Sequence, residues 1–238
     1  MDKSETIKNF IGGILGIAQE LHDYINIDKI DNQYDRIILI GAHGTGKSTL
    51  AQELSDMLGF PVVESVAREF KKDMKYLEES GMFDPRISEF LLKDAQQNVI
   101  CSMSRWDFMR WVKAGVPCIM TRCPLDTLAY AMADKEVADS TYKSNLITLK
   151  DNSEFMEAIH KSMFVYLPIE FGLEDDGVRP TDKEYQKQVD QAMRQLIYRF
   201  EIAPLVVTGT VEERIEQVLV KAVGKDVTAF LMRKFNKE

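Results

Sequence analysis

A chain of 238 residues, 45% hydrophobic and 29% charged, has the length and apolar content to bury a full core, which excludes a disordered or fibrous polypeptide. Its formal net charge of −8 weighs against a protein whose main task is gripping duplex DNA, because that calls for a basic face. Cys101, Cys118 and Cys123 make neither a disulfide framework nor a paired metal spacing, no basic leader precedes an apolar run, and no apolar stretch is long enough to span a membrane, so a cytoplasmic protein is expected.

Residues 4–24 read as an amphipathic helix, with Ile7, Phe10, Ile11, Ile14, Ala18 and Leu21 at helical spacing. Gly12, Gly13 and Gly16 weaken it by about 1 kcal/mol each relative to alanine. Residues 1–33 are thus expected to be an N-terminal helical extension ahead of a main domain over 34–238. Arg36–Ile40 is a continuous apolar run that suits a strand buried on both faces. A glycine-rich turn follows, then a helix from Lys47 to Leu58 that Gly59 ends. Pro61–Glu64 reads as a second strand. Helical patterns cover 66–79 and 86–114, with Asp84 and Pro85 as a helix start. Pro117–Thr121 is a third strand, 124–134 is helical, and 139–161 is mostly helical.

Met163–Leu167 is a fourth strand, and 172–180 is a polar loop. Thr181-Asp-Lys-Glu184 matches a capping box opening a helix to about Glu201. Leu205–Val207 is a fifth strand. Thr210-Val-Glu-Glu213 is a second capping box, opening a helix to about Val223, and the tail over 226–237 suits one more short helix. Strands alternate with helices throughout, which predicts an α/β fold with a parallel sheet covered on both faces.

Gly41-Ala-His-Gly-Thr-Gly-Lys-Ser48 matches the phosphate-loop pattern in full and lies between an apolar strand and a helix, where that pattern works. Glycines let backbone N–H groups turn inward around phosphate oxygens, and the helix start aims its positive end at the same anion. ATP with Mg²⁺ is the ligand expected. Gly41, His43, Gly44, Thr45, Gly46, Lys47, Ser48 and Thr49 would hold the nucleotide, Lys47 reaching the β- and γ-phosphates and Ser48 the metal. His43 reads as a spacer within the loop. The guanine-specifying N-K-x-D segment is absent. The strands ending at Thr121-Arg122 and at Leu167-Pro168 carry none of the paired acids of motor ATPases.

Together with Val62-Val-Glu-Ser-Val-Ala-Arg-Glu69, the loop resembles the start of small-molecule P-loop kinases. The likeness is greatest to the nicotinamide-riboside-kinase-like and thymidylate-kinase-like branch, phage-type relatives included. Thr121-Arg-Cys-Pro-Leu-Asp-Thr-Leu-Ala-Tyr130 is similar to that family's D-R-S-x-x-D-x-x-A-Y segment. Asp175-Asp-Gly-Val-Arg179 is similar to the start of its lid, and Val207-Thr-Gly-Thr-Val-Glu-Glu-Arg214 to its adenine-side loop. The resemblance covers about residues 36–220. It implies a P-loop NTPase three-layer sandwich with a five-stranded parallel sheet, helices on both faces and a small lid at about 170–185. It also implies nucleotide contacts from Gly209 and Arg214. One departure stands out, because the family has an acid where this chain has Thr121.

The remaining candidates follow from position. Glu64 ends the second strand at the carboxyl edge, where ligands bind in such sheets, and suits a general base or an orienter of the acceptor hydroxyl. Arg68 would steer the acceptor. Arg122, directly after a buried strand, can neutralise charge on a transferring phosphoryl group. Asp126, one helical turn on, is a candidate Mg²⁺ or acceptor contact. Arg179 lies in the lid that would exclude water, and Arg194 and Arg199 follow on the next helix. Gln96 and Gln97 carry amides able to read a base edge. Near them are Arg105, Trp106 and Trp111, of which the tryptophans read first as core. Cys123 and His160 have no companions at metal-ligand spacing.

The expected activity is ATP-dependent transfer of the γ-phosphate to a small nucleoside, nucleotide or related base-bearing acceptor. Two alternatives stand beside it. One is a kinase of hydroxymethylated pyrimidine bases in phage DNA, against which the acidic charge weighs. The other is an ATP-binding regulatory module without kinase activity, which the missing acid at Thr121 favours. The acceptor is open at this stage, and so is assembly, a homodimer included.

Overall fold

Short, mostly apolar runs form the sheet, and helices in the linking segments return the chain so that its strands pair in parallel. The computed structural model describes residues 34, 36–81, 89–170 and 182–235. Strands β1 (Arg36–Ile40), β2 (Val62–Val63), β3 (Cys118–Met120), β4 (Ser162–Tyr166) and β5 (Leu205–Val206) pair in the order β2-β3-β1-β4-β5. Every pairing is parallel. In register, Ile38 of β1 stands between Met120 of β3 and Phe164 of β4. All five residues of β1 are buried, which explains why its sequence shows no polar alternation.

Nine helices lie among the described residues. They are α1 (Lys47–Leu58), α2 (Val66–Glu79), α3 (Glu89–Ala114), α4 (Pro124–Ala133), α5 (Asp139–Lys150), α6 (Ser153–His160), α7 (Lys183–Arg199), α8 (Val211–Val223) and α9 (Lys225–Phe235). Successive β1 side chains point to opposite faces and so anchor two cores. Ile37 and Leu39 pack with Leu50 and Leu54 of α1, Val218 and Leu219 of α8, and Leu231 of α9. Ile38 and Ile40 pack with Phe108 of α3, Leu128 of α4, Phe155 of α6, and Met193 and Leu196 of α7. The result is the expected three-layer α/β sandwich around a five-stranded parallel sheet.

Some local expectations shift. The helical stretch over 139–161 is two helices, because Asn152 stops the first and caps the second, accepting from the Phe155 N–H at 2.9 Å. The cap of α7 is Asp182, one residue beyond the Thr181 expected. Its carboxylate serves two orphan donors, the N–H groups of Glu184 at 2.8 Å and Tyr185 at 3.3 Å. The second capping box forms as expected, with Glu213 N donating to Thr210 Oγ1 at 3.2 Å and Thr210 N to Glu213 Oε2 at 2.7 Å. Trp106, read as core, is 67% exposed, because it faces outward on α3 beneath the Arg110 guanidinium. The extension over 1–33, the Asp84–Pro85 helix start and lid residues 171–181 lie outside the described residues.

Cys101, Cys118 and Cys123 are all buried and unpaired by disulfide. Burial, aided by the nearby Asp107 carboxylate and opposed by Arg36, pushes the Cys118 thiol up to about 11. Burial also raises Cys101 and Cys123. A thiol-alkylating reagent at neutral pH should therefore leave all three unmodified by mass spectrometry until denaturant is added. Rapid labelling of native protein would contradict this packing.

Candidate functional site

The site lies at the carboxyl end of β1, where neighbouring strands on its two sides are laid down at different times in the chain and leave a crevice. Gly41, Gly44 and Gly46 take φ of 142°, 73° and 88°, which curls the backbone into a tight loop that ends in the first turn of α1. Lys47 is buried, and its Nζ donates to the carbonyls of Gly41 (2.9 Å) and Ala42 and to Thr45 Oγ1 at 3.2 Å. Thr45 Oγ1 in turn donates to the Ala42 carbonyl at 3.0 Å. The ammonium is thus held inside the loop, at its centre. Gly46, Ser48 and Thr49 are exposed at the mouth, so the Ser48 hydroxyl is open to a ligand.

Two helices brace this loop from opposite faces of the sheet. Gln186 of α7 donates to the His43 carbonyl at 2.7 Å. Arg214 of α8 donates to the Thr45 carbonyl at 2.8 Å and also pairs with Glu170, whose Oε2 accepts the Gly209 N–H at 3.1 Å. Arg214 is 2% exposed. Its guanidinium thus supports the loop from beneath, while Glu170 ties the segment of Gly209 to the same brace. Neither Gln186 nor Glu170 carries a local sequence signal, since both act over long chain separations.

Beside the loop, Arg122, Tyr130, Asp126 and His43 form one chain of contacts. Arg122 Nη2 donates to the Tyr130 hydroxyl at 3.1 Å, and the guanidinium lies 4.9 Å from that ring. The same hydroxyl lies 3.3 Å from His43 Nδ1, within hydrogen-bonding distance. Tyr185 of α7 closes the group, with its ring centroid 6.0 Å from His43 and 6.2 Å from Tyr130. Burial, with the Asp134 carboxylate, drives the Tyr185 phenol up. His43 is therefore a buried packing and hydrogen-bonding residue within the loop. Tyr130 is legible in hindsight, because Arg122, Asp126 and Tyr130 recur every four residues.

Asp126 is 0% exposed. Its Oδ2 accepts the Cys123 N–H at 2.9 Å, and Oδ1 lies 3.7 Å from Arg122 Nη1. Burial raises its carboxyl, against the pull of the Arg122 and Lys47 cations. Burial alone would lower the Arg122 guanidinium, but Tyr130 and Asp126 more than offset this and hold it above its ordinary value. Thr121, standing where an acid was anticipated, is also buried, its hydroxyl donating to the Val63 carbonyl at 3.2 Å. That position ties β3 to β2.

A cleft opens at the ends of β2 and β3, lined by Glu64, Ser65, Ser104, Asp107, Phe108 and Arg122 among others. Glu64 and Arg122 are thus brought together, on the same sheet edge as Lys47. Other candidates are placed elsewhere. Gln97 donates its amide to the Thr127 carbonyl at 2.7 Å, a contact that joins α3 to α4. Arg194 pairs with Asp190 at 2.9 Å, and Arg199 donates to the Tyr142 hydroxyl at 2.6 Å. Side-chain placement of Arg68, and all of Arg179, lie outside the described residues.

The donor set fits a nucleoside triphosphate, with a glycine-rich turn, a buried ammonium and an exposed serine at a helix start. It also fits Mg²⁺ in its usual manner. Among the described residues no cluster of three or more His, Cys, Asp or Glu could cage a metal, and Mg²⁺ commonly takes one or two protein oxygens with phosphate and water. Among the same residues no helix is long and apolar enough to cross a membrane.

Residues 36–214 match the model of a family described as an AAA domain. Among solved structures, deoxyadenosine kinase from M. mycoides with bound dCTP superposes with a TM-score of 0.53 at 17% identity, over 78% of this chain and 97% of that one. NadR in complex with NAD and AMP-PNP gives a TM-score of 0.53 at 15% identity, over 81% of this chain and 50% of that one, so this chain spans half of NadR. At such identities the likeness shows the fold, that of P-loop small-molecule kinases, and no more. No curated protein sequence matches this chain.

Proposed function

We propose that this chain, which belongs to the AAA domain family matched over residues 36–214, is a kinase that transfers the γ-phosphate of ATP to a small nucleoside-like acceptor. The observation that carries this reading is the placement of the Glu64–Arg122 cleft beside the braced phosphate loop, with Lys47 at that loop's centre. A hydrolytic motor would need an acid to hold water at the end of β3, and Thr121 there is buried against Val63.

In this reading Lys47 turns from the loop carbonyls to the β- and γ-phosphates, and the loop N–H groups hold the β-phosphate. Ser48 would ligand Mg²⁺, which when bound screens the phosphate charge. Arg122 faces the transferring phosphoryl group, and Asp126 fixes that guanidinium from behind in place of the metal contact expected for it. Glu64 takes the acceptor's proton as the acceptor oxygen bonds to γ-phosphorus, and the bond to the β–γ bridging oxygen breaks with its electron pair leaving on ADP. Such transfer needs positioning and charge stabilisation above all.

The test is ADP release with Mg·ATP across nucleosides, nucleoside monophosphates, nicotinamide riboside and hydroxymethyl-pyrimidine DNA. Stimulation by a small acceptor, absent in Lys47→Ala, is the expected result. A flat panel with ATP still bound would favour the regulatory reading instead, and label moving to polymer alone would favour the DNA one.

Tyr130 supplies a finer check. Tyr130→Phe keeps the ring beneath Arg122 but removes the hydroxyl that joins Arg122 to His43. Turnover should fall by about tenfold with KM for ATP nearly unchanged, the cost of one charge-assisted hydrogen bond that orients a cation. An equal loss in ATP affinity and turnover would mean that Tyr130 only supports the loop.

A further inference from the structure

The carbonyls of the phosphate loop are held by side-chain donors of two kinds. Lys47 serves those of Gly41 and Ala42 from within the loop. Gln186 serves that of His43 from α7, and Arg214 serves that of Thr45 from α8. In the reading above Lys47 leaves its carbonyls for phosphate. Gln186 and Arg214, with the Thr45 hydroxyl, then remain to hold the backbone of the loaded loop. Both braces are buried, at 3% and 2% exposed.

The two bonded carbonyls belong to the His43–Gly44 and Thr45–Gly46 peptides. A glycine restrains the peptide before it least, because it lacks the Cβ that limits φ. Gly44 and Gly46 take φ of 73° and 88°. These planes are thus among the freest in the loop to turn over, and each is fixed from outside by one side chain. Each peptide is planar and trans, so its N–H points opposite its C=O. The His43 carbonyl faces α7, which aims the Gly44 N–H away from α7. The Thr45 carbonyl faces α8, which aims the Gly46 N–H away from α8. Since α7 and α8 cover opposite faces of the sheet, the two N–H groups converge across the loop. Neither donates to an acceptor among the described residues.

We infer that Gln186 and Arg214 are positioning residues for the phosphate chain of ATP. They act without touching it, by holding two carbonyls outward so that the N–H groups of Gly44 and Gly46 face the β-phosphate. A peptide released from its brace can turn over, and a carbonyl oxygen then faces the anion where a donor stood. The inference rests on the reading of this loop as the ATP site.

The experiment is equilibrium binding to the full chain, so that it does not depend on turnover. The probes are Mg·ATP, inorganic tripolyphosphate, which has the phosphates without the base, and AMP, which lacks the β-phosphate. Gln186→Met and Arg214→Met remove the donor and keep much of the side-chain volume. Each should weaken ATP and tripolyphosphate by about tenfold and AMP by less than about twofold, the loss expected when one hydrogen bond orients a donor. Arg214→Lys retains a donor and should recover at least about threefold of the lost ATP affinity. A side chain that merely supported the fold would weaken all three ligands alike. If Arg214→Met does not fold, Gln186→Met carries the test from the other face of the sheet. Equal losses for ATP and AMP, unchanged ATP and tripolyphosphate affinity in the methionine variants, or no gain from Arg214→Lys over Arg214→Met would overturn the inference. Failure of the loop reading looks different, because the unsubstituted protein would then bind neither ATP nor tripolyphosphate.

Discussion

Lys47→Ala is expected to lower ATP-dependent product formation by about a thousandfold, the loss typical of removing a group aimed at transition-state charge. The structure gives two reasons for so large an effect. The first is electrostatic, because Lys47 is the one ammonium at the centre of the loop and is buried, so its charge acts in a low dielectric. The second is geometric. Its Nζ joins Gly41, Ala42 and Thr45 into one ring, and truncation leaves two loop carbonyls without that donor. Steady-state kinetics and nucleotide binding separate the two. Loss of turnover with ATP affinity kept would assign the effect to charge, and loss of both would assign it to the shape of the loop. A variant retaining a tenth of wild-type activity or more would remove Lys47 from the proposed chemistry.

Gly41→Ala should be the most destabilising small substitution in the site. A methyl group there would stand 2.5 Å from the Leu167 carbonyl oxygen, and φ is 142°, a region that L side chains rarely adopt. The obstacle is backbone, not a side chain that can swing away, so β1 and the end of β4 must part where Leu167 N donates to the Ile40 carbonyl at 3.0 Å. Backbone strain of about 1–3 kcal/mol plus the clash gives a cost of about 3 kcal/mol or more. In a chain of this size that lowers the melting temperature by about 6–12 °C. Gly81→Ala is the matching control, with φ of 71° but nothing among the described residues within 4 Å of the added carbon. It should cost about 1 kcal/mol. Equal melting temperatures for the two variants would show that the contact with Leu167 does not constrain the loop.

The sheet was legible because β1 is buried along its whole length and reads as an unbroken apolar run, and the phosphate loop was legible because its signals are all local. Local signals also found Thr210 as a cap, yet misplaced the start of α7 by one residue. Thr181 and Asp182 can both cap, and only geometry chooses the carboxylate that reaches two N–H groups. The less legible part of the site depends on contacts between distant segments. Nothing near Arg214 in the chain says that its guanidinium turns towards Thr45, 169 residues earlier. Gln97 has the chemistry to read a base, but α4 takes up its amide first. Asp107 carries no local signal on a long helix, and only the fold sets it in the wall of a cleft.

The two braces of the phosphate loop also bear on the order of events during synthesis. A chain made only as far as β4 would already contain the glycine-rich turn, its lysine and its flanking strand and helix. It would still lack Gln186 and Arg214, which reach back across 143 and 169 residues to set the loop's carbonyls. Contacts that span so much of the chain close late, after the entropy of the intervening segment has been surrendered. Competence to hold a triphosphate should therefore arrive among the last steps of folding, and a nascent chain halted before α8 would carry the complete motif without the affinity.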